Sequence, residues 1–580
     1  MLKETKMKKT LFITGLLVTT LLLGPIACQN ELDVQNPNSP TLLGSVVDEE
    51  SFVSFIQGTT YGNGFSRGSN WLGNSYFSLP WGYHELLADN VGASAANNQI
   101  TNIGQPANVD LGNGTTLSNP TSQVNIIRTF NNRAATGAGN NALYYQWAHM
   151  YALINACNQI LANADRIIYA SGSDKATKVN TIKAWCYWWK GYAYASIGSM
   201  YVAGLINNEI SPETSLSSKV SRDYVSKEAI IAESDSFFNL AKTTLQAITN
   251  NAQYSAMLGS LIPAVCKVGN GGVLTTAEWI RNINTMLARN IVVNKLSPFV
   301  NGNPNAVITK SLMTPMTVAD WNNVKALTTD GVQPGDKIFT ARSTDVGSTT
   351  IFSANAGNVA AQTATNASTA TFKISERFLQ YFKKDNLGVI IDARFANNFS
   401  TTSTYTDNYV YSTRYTLRNG GAGAVGVKVL ASRTAGAYEV VIAGSWEENA
   451  LMAAEANIRT GSINDGLILI DQVRVAQGAG LAPLAGSGIA LVPALNELVS
   501  ERRISLIFRG LSFYDNRRWG WSYDKSLGGG VFGQFVRNGG TNYTNATVNY
   551  NFLDYWDIPA DEIVLNPPSG TSVPVTNTNY

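Results

Sequence analysis

Two short stretches match the spacing of catalytic or cofactor motifs. GFSRG, Gly64 to Gly68, has the Gly-x-Ser-x-Gly spacing of a nucleophile elbow, where a strained strand-to-helix turn presents a serine hydroxyl. The elbow needs a buried strand before it and a helix after it. Here TTYGNG precedes and SNWLGN follows, and both read as loop. GAGAVG, Gly421 to Gly426, has the spacing that lets a backbone approach a pyrophosphate. VKVLASR follows it, a strand-like run where the phosphate-binding helix should begin. Glycoside hydrolysis needs two carboxylates about 5 Å or about 6.5–9.5 Å apart. The acidic neighbours Glu447–Glu448, Glu497–Glu501 and Asp561–Glu562 sit beside helix or turn signals and read as surface or ion-pair groups. His84 and His149 cannot build a zinc site of the usual spacing, and there is no CxxC. No catalytic constellation emerges.

One cysteine stands apart from this chemistry. Lys3, Lys6, Lys8 and Lys9 form a cationic start, Leu11 to Leu23 an apolar run, and small residues lead to Ala27 and Cys28. A spanning helix needs about 20 apolar residues, so the run fits an export signal instead. A cysteine at the cut is what a bacterial lipoprotein signal requires, although Pro25 stands where its lipobox usually has Leu. Residues 1–27 are therefore expected to be a lipoprotein signal peptide, Cys28 the lipid-attachment residue, and 28–50 a tether. Acyl chains on Cys28 would hold the protein at a membrane without a spanning helix. Cys157, Cys186 and Cys266 are an odd set for an exported chain and read as buried, inert thiols.

The remaining chain is long enough for a large core. Net charge is +2 and only 14% of residues are charged, against about 25% in ordinary globular proteins. Asn, Thr, Ser and Gly must supply much of the surface. That leaves no electrostatic footprint for nucleic acid and suits neutral polyhydroxyl ligands or protein contacts.

Helical periodicity is clear in several blocks. In YYQWAHMYALINACNQILANAD, Trp147, Tyr151, Ile154 and Asn158 share one face. In WCYWWKGYAYASIGSMY, Trp188, Tyr192 and Ala195 form a stripe, and Gly191 and Ala193 admit a neighbouring helix. SDSFFNLAKTTLQAI and TTAEWIRNINTMLARNIV also read as helices. Residues 445–476 read as a helix pair turning at Gly461, similar in size to tetratricopeptide pairs but without their fixed period. The stretches 91–140, 341–371 and 397–440 are rich in Gly, Asn, Thr and Ser and read as long loop-rich insertions with a few short β-runs.

Three segments together carry a resemblance. They are WAHMYALINACNQIL, then ERRISLIFRGLSFYDNRRWG (501–520), then YWDIPADEIVLNPPSG (555–570). ELLADN at 85–90 and the 445–476 pair fall in the same order. The ordered set resembles the SusD/RagB family of outer-membrane nutrient-binding lipoproteins. Ser505, Arg509 and Ser512 depart from it, standing where the family usually has Glu, Glu and Arg. The resemblance implies a mainly α fold: a SusD-like scaffold over 51–580, with tetratricopeptide-like helix pairs and long irregular loops carrying a few short β-strands. It also implies a non-enzymatic protein, lipid-anchored on the outer membrane and facing the exterior. Such a protein passes an oligosaccharide to a SusC-like TonB-dependent transporter. Glu31 and Asp33 resemble the surface-export signal of such lipoproteins. No cofactor is implied, although a structural calcium ion is compatible with the family.

Read from chemistry alone, Arg502, Arg518 and Asp515 are ion-pairing scaffold groups. The helix at 501 should continue through Leu506 and Phe508, and Pro559 and Pro567 should stop helices and stiffen the tail into a strap. Glycan binding needs exposed rings. Trp71, Tyr76, Trp81 and Tyr83 lie in a Gly/Pro-broken segment, and Tyr405, Tyr409 and Tyr411 in a polar loop. Those seven are the candidate glycan-binding residues, while most of the twelve tryptophans belong to the core. Two rivals stay open, a peptide-uptake relative and a tetratricopeptide scaffold without a nutrient role.

Overall fold

The computed structural model describes residues 46–60, 84–93, 102–132, 142–210, 219–267, 269–342, 372–406, 412–417 and 439–580. Cys28, Trp71, Tyr76, Trp81, Tyr83, Tyr409 and Tyr411 lie outside the described residues, as do GFSRG and GAGAVG.

The fold is mainly α, and its centre is set by one helix without a polar face. Helices α1 (Glu49–Thr59), α2 (Gln123–Phe130) and α3 (Ala142–Asn163) precede α4 (Lys175–Met200), a 26-residue helix. Trp185, Trp188, Trp189, Tyr194 and Ile197 are all buried, although together they point around its whole circumference. A helix apolar all round must be enclosed by others. The enclosing elements are α3, α5 (Lys227–Gln246), α6 (Asn251–Leu261) and α7 (Thr276–Asn294). Gly191 allows the closest approach, since a Cβ there would stand 2.9 Å from the Phe238 ring. The shared face of α3 holds the chain leaving α4: the Tyr151 hydroxyl donates to the Leu205 carbonyl, and Asn158 Nδ2 donates to that of Asn207. Cys157, Cys186 and Cys266 are buried free thiols.

The second half adds α8 (Val318–Thr329), the short α9 (Ala393–Asn398), and the antiparallel pair α10 (Trp446–Arg459) and α11 (Ile463–Ala476). The pair turns at Gly461, whose φ of 95° an L-residue with a side chain rarely adopts. Starts are written locally. Thr275–Glu278 and Thr317–Asp320 form capping boxes for α7 and α8, and the Ser445 hydroxyl caps α10.

The expectation for 501–508 needs correcting. Helix α12 (Leu491–Ser505) stops before Leu506, because Phe508 takes φ 58° and Gly510 φ 73° before α13 (Ser512–Arg518) begins. The sharp turn folds α13 back so that Arg502 pairs with Asp515 at 3.0 Å. Pro559 likewise starts a helix, α14 (Ala560–Leu565), instead of stopping one. Its missing N–H costs nothing at a helix start. The tail beyond is a strap. The Arg128 guanidinium pairs with Asp557 and donates to the Asn577 carbonyl, and the Val573 N–H donates to the Tyr224 carbonyl.

Strands are short and peripheral. β1 (Val91–Ala93), β2 (Asn108–Asp110), β3 (Thr116–Ser118), β4 (Thr340–Arg342) and β5 (Phe372–Ile374) come first. β6 (Phe399–Thr406), β7 (Ser412–Leu417), β8 (Glu439–Val441), β9 (Val531–Asn538) and β10 (Thr541–Asn549) follow. The largest sheet is antiparallel in the order β9-β10-β2-β3, and β1–β5, β4–β8 and β6–β7 are antiparallel pairs. The stretch 91–140 thus contains two strands of that sheet and α2. Among the described residues no helix is long and apolar enough to cross a membrane.

The packing at α4 is testable with two glycines. Gly191→Ala should destabilise the protein by about 1–3 kcal/mol, because the new methyl has no room against Phe238. Gly58→Ala, exposed on α1 with nothing within 4 Å of its Cβ, should be neutral or stabilising by up to ~1 kcal/mol. Denaturant unfolding of both variants compares the two directly.

Candidate functional site

Buried ionisable groups are the first place to look for chemistry. Glu85 is fully buried, and burial pushes its carboxyl up to about 7. It accepts hydrogen bonds from Asn90 Nδ2 at 2.6 Å and the Ser512 hydroxyl at 3.1 Å. His84 beside it is held down to about 4 by burial, and its Nδ1 contacts the Gly510 carbonyl at 2.9 Å. Both are buried, and their bonds make them struts between 84–90 and the turn at 508–512. The adjoining cavity, between α4, α7 and α13, holds only about 50 Å³, room for water and no more.

Of the six acidic neighbours, Glu448, Glu497 and Glu501 form ion pairs. Glu448 meets Arg289, Glu497 meets Arg474 and Lys383, and Glu501 meets Arg394 and Arg474. Glu562 accepts from the Trp147 indole at 3.3 Å. Burial would raise Glu455, but Arg518 at 2.6 Å holds it down at about 2. Among the described residues no group of three or more His, Cys, Asp or Glu side chains is placed to hold a metal ion.

Among the described residues, clefts large enough for a ligand occur in at least two places. One, of about 230 Å³, lies between α5, α7 and α8. Four of its charges are matched, Lys227 to Glu228 and Lys295 to Asp320, Asp235 meets only the Asn290 amide, and no aromatic ring lines it. A second is a groove along α10, made of two adjoining recesses of about 190 and 370 Å³. Val332, Gln333, Pro334 and Trp446 line both. Trp446, the first residue of α10, is half-buried, and among the described residues its indole N–H makes no hydrogen bond. Thr329, Asn457 and Gln472 supply amides and a hydroxyl in the larger recess, and Glu447 a carboxylate in the smaller.

The groove wall at 330–336 is rigidly held. Asn284 Nδ2 donates to the Asp330 carbonyl, the Val332 N–H donates to the Thr285 hydroxyl, and Arg281 clamps Asp336 through two bonds of 2.7 and 2.6 Å. Asn449 on α10 donates to the Thr328 carbonyl. Gly331 lies so close to it that a Cβ would stand 2.0 Å from its Oδ1. A flat ring, preset polar groups and a fixed wall are what a polyhydroxyl ligand requires.

No family profile matches the sequence, and no curated protein matches it. Solved structures do. A SusD-superfamily protein of Bacteroides vulgatus is 16% identical over 87% of this chain and 97% of its own, with TM-score 0.47. A SusD-like carbohydrate-binding protein of Bacteroides fragilis is 14% identical over 84% of this chain and 97% of its own, with TM-score 0.44. A protein solved with a xylogluco-oligosaccharide is 13% identical over 86% and 98%, with TM-score 0.48. SusD-superfamily proteins recur among the fold neighbours. The likeness is one of fold, and the groove is read from this chain's own residues.

Of the seven aromatics chosen from sequence, only Tyr405 falls in a described element. It lies on β6, paired in register with Thr413 of β7. Trp446 was not among the seven. It sits at the start of a helical pattern, and nothing near it in sequence announces that residues 332–334 form the opposite wall.

Glu85 gives this region a pH signature. Its folded value of about 7 exceeds the ordinary 4.5, so between those values the folded state binds the extra proton and stability falls as pH rises. Compared with Glu85→Gln, the wild type should lose up to about 3 kcal/mol between pH 5 and 8. His84 and His149, pushed down by burial, add an opposite trend to both proteins, so the difference isolates Glu85. Thermal melts of the two proteins across that range test it.

Proposed function

We propose that this protein is a cell-surface nutrient-binding lipoprotein. It captures an oligosaccharide in the α10 groove and passes it to a SusC-like TonB-dependent transporter. The observation that carries the reading is Trp446, a half-buried ring between two recesses whose walls also hold the amides of Gln333, Asn457 and Gln472 and the hydroxyl of Thr329. Pyranose C–H faces stack on such a ring while their hydroxyls meet the fixed polar groups. The apolar run ending at Cys28 supports a lipid anchor on the outer membrane, and the ordered motifs of the sequence support the transporter partnership. In this reading the protein binds its ligand and leaves its bonds intact.

The test uses the chain from Gln29 onward in affinity electrophoresis against a panel of polysaccharides. At least one should retard it, and Trp446→Ala should weaken that retention by about tenfold or more, for the loss of ring contact alone. Retardation untouched by Trp446→Ala but lost on Trp71→Ala or Tyr405→Ala would move the site. Absence of retardation by every glycan, with peptides binding instead, would replace the reading with peptide uptake.

A further inference from the structure

The smaller recess contains a charge that the protein itself does not use. Interior arginines among the described residues meet carboxylates or carbonyls. Arg289, Arg394, Arg502 and Arg518 meet carboxylates, and Arg503 and Arg517 reach backbone carbonyls. Arg509 differs. It follows α12 within the turn at 506–510 and lines the recess with Trp446, yet its guanidinium has no ion pair among the described residues. Its Nη1 makes no hydrogen bond among those residues, like single guanidinium nitrogens of Arg459, Arg502, Arg503 and Arg517, and the side chain borders both this recess and the small cavity beside His84. Leaving a buried donor unmet costs about 1–3 kcal/mol, and more when it is charged.

The other charges of the recess cannot discharge it. Asp336 is consumed by Arg281. Glu447 lines the same recess but forms no ion pair with Arg509, so it stays free to accept hydroxyl hydrogens. The recess therefore offers a stacking ring, a hydroxyl acceptor and, separately, an unmatched planar guanidinium. A guanidinium has the fork geometry of a carboxylate, and it gains more from an anion than from a hydroxyl.

We infer that the groove is selective for acidic oligosaccharides, with Arg509 binding the carboxylate of a uronic acid residue whose ring lies against Trp446. This rests on the glycan-binding reading above and narrows its ligand class. Arg509 is a specificity-determining residue in this site, and Trp446 supplies binding common to acidic and neutral sugars.

The experiment compares acidic polymers with their own neutral forms. Polygalacturonate, alginate and glucuronoxylan are each run against the same polymer after carboxyl reduction, which keeps the linkage and removes the charge. At least one acidic polymer should bind about tenfold or more tighter than its reduced form at moderate salt. Arg509→Gln should bring that ratio close to one, and Arg509→Lys should keep part of it. The thermal midpoint of Arg509→Gln should not fall, because no protein group loses a partner. Equal binding of acidic and reduced polymers, or a ratio unchanged in Arg509→Gln, would overturn the inference while leaving glycan binding intact. Failure of every polymer, with Trp446→Ala indistinguishable from wild type, would instead remove the glycan-binding reading beneath it.

Discussion

The architecture hangs on a dry cluster of four charges and one more arginine. Arg518 is fully buried and reaches Glu455 at 2.6 Å and Asp515 at 2.8 Å, while Arg502 holds the other side of Asp515. Arg459 joins from the end of α10 at 3.4 Å. Ions so enclosed are not a large net source of stability, but removing one partner strands the rest at roughly 3–5 kcal/mol. What the cluster provides is placement. Glu455 sits on the helix that begins at Trp446, so α12, α13 and α10 are locked in one relative orientation. The groove inherits its shape from that lock.

The same pairing explains an oddity of composition. Charged residues are scarce at 14%, and many of the arginines present are spent in the interior on carboxylates and carbonyls. Much of the exterior is left to neutral polar side chains, and Thr329, Asn457 and Gln472 bring the same chemistry to the larger recess. Rigidity at the wall comes from neutral groups too. Thr285, Asn284 and Asn449 each bond to the 328–332 segment, and hydrogen bonds of this kind are directional enough to fix a loop.

The helices were legible because burial writes a period into them. Trp147, Tyr151, Ile154 and Asn158 fall on one face, and that face does organise the chain after α4. Gly191 was legible as a contact for the same reason. The end of α12 was not, since Phe508 adopts φ 58° without glycine to announce it, and only the need to return Asp515 to Arg502 compels the turn. Pro559 misled because proline excludes helix interiors but suits helix starts, and sequence alone does not say which side it stands on. The groove was least legible. Its walls come from positions near 270, 330, 446 and 472, and no local pattern reports a juxtaposition across two hundred residues.

The terminal strap has a consequence for biogenesis. Arg128 on α2 is held by Asp557 and by the Asn577 carbonyl, and Tyr224 by Ser572 and Val573. Contacts spanning more than three hundred residues form late, since their loop-closure entropy is offset only when both ends are present. A chain made from its amino end therefore exposes this face of α2 until its last few dozen residues have emerged. Under the export proposed above that delay would be useful, because a body that cannot clasp itself early stays threadable until translocation is nearly complete.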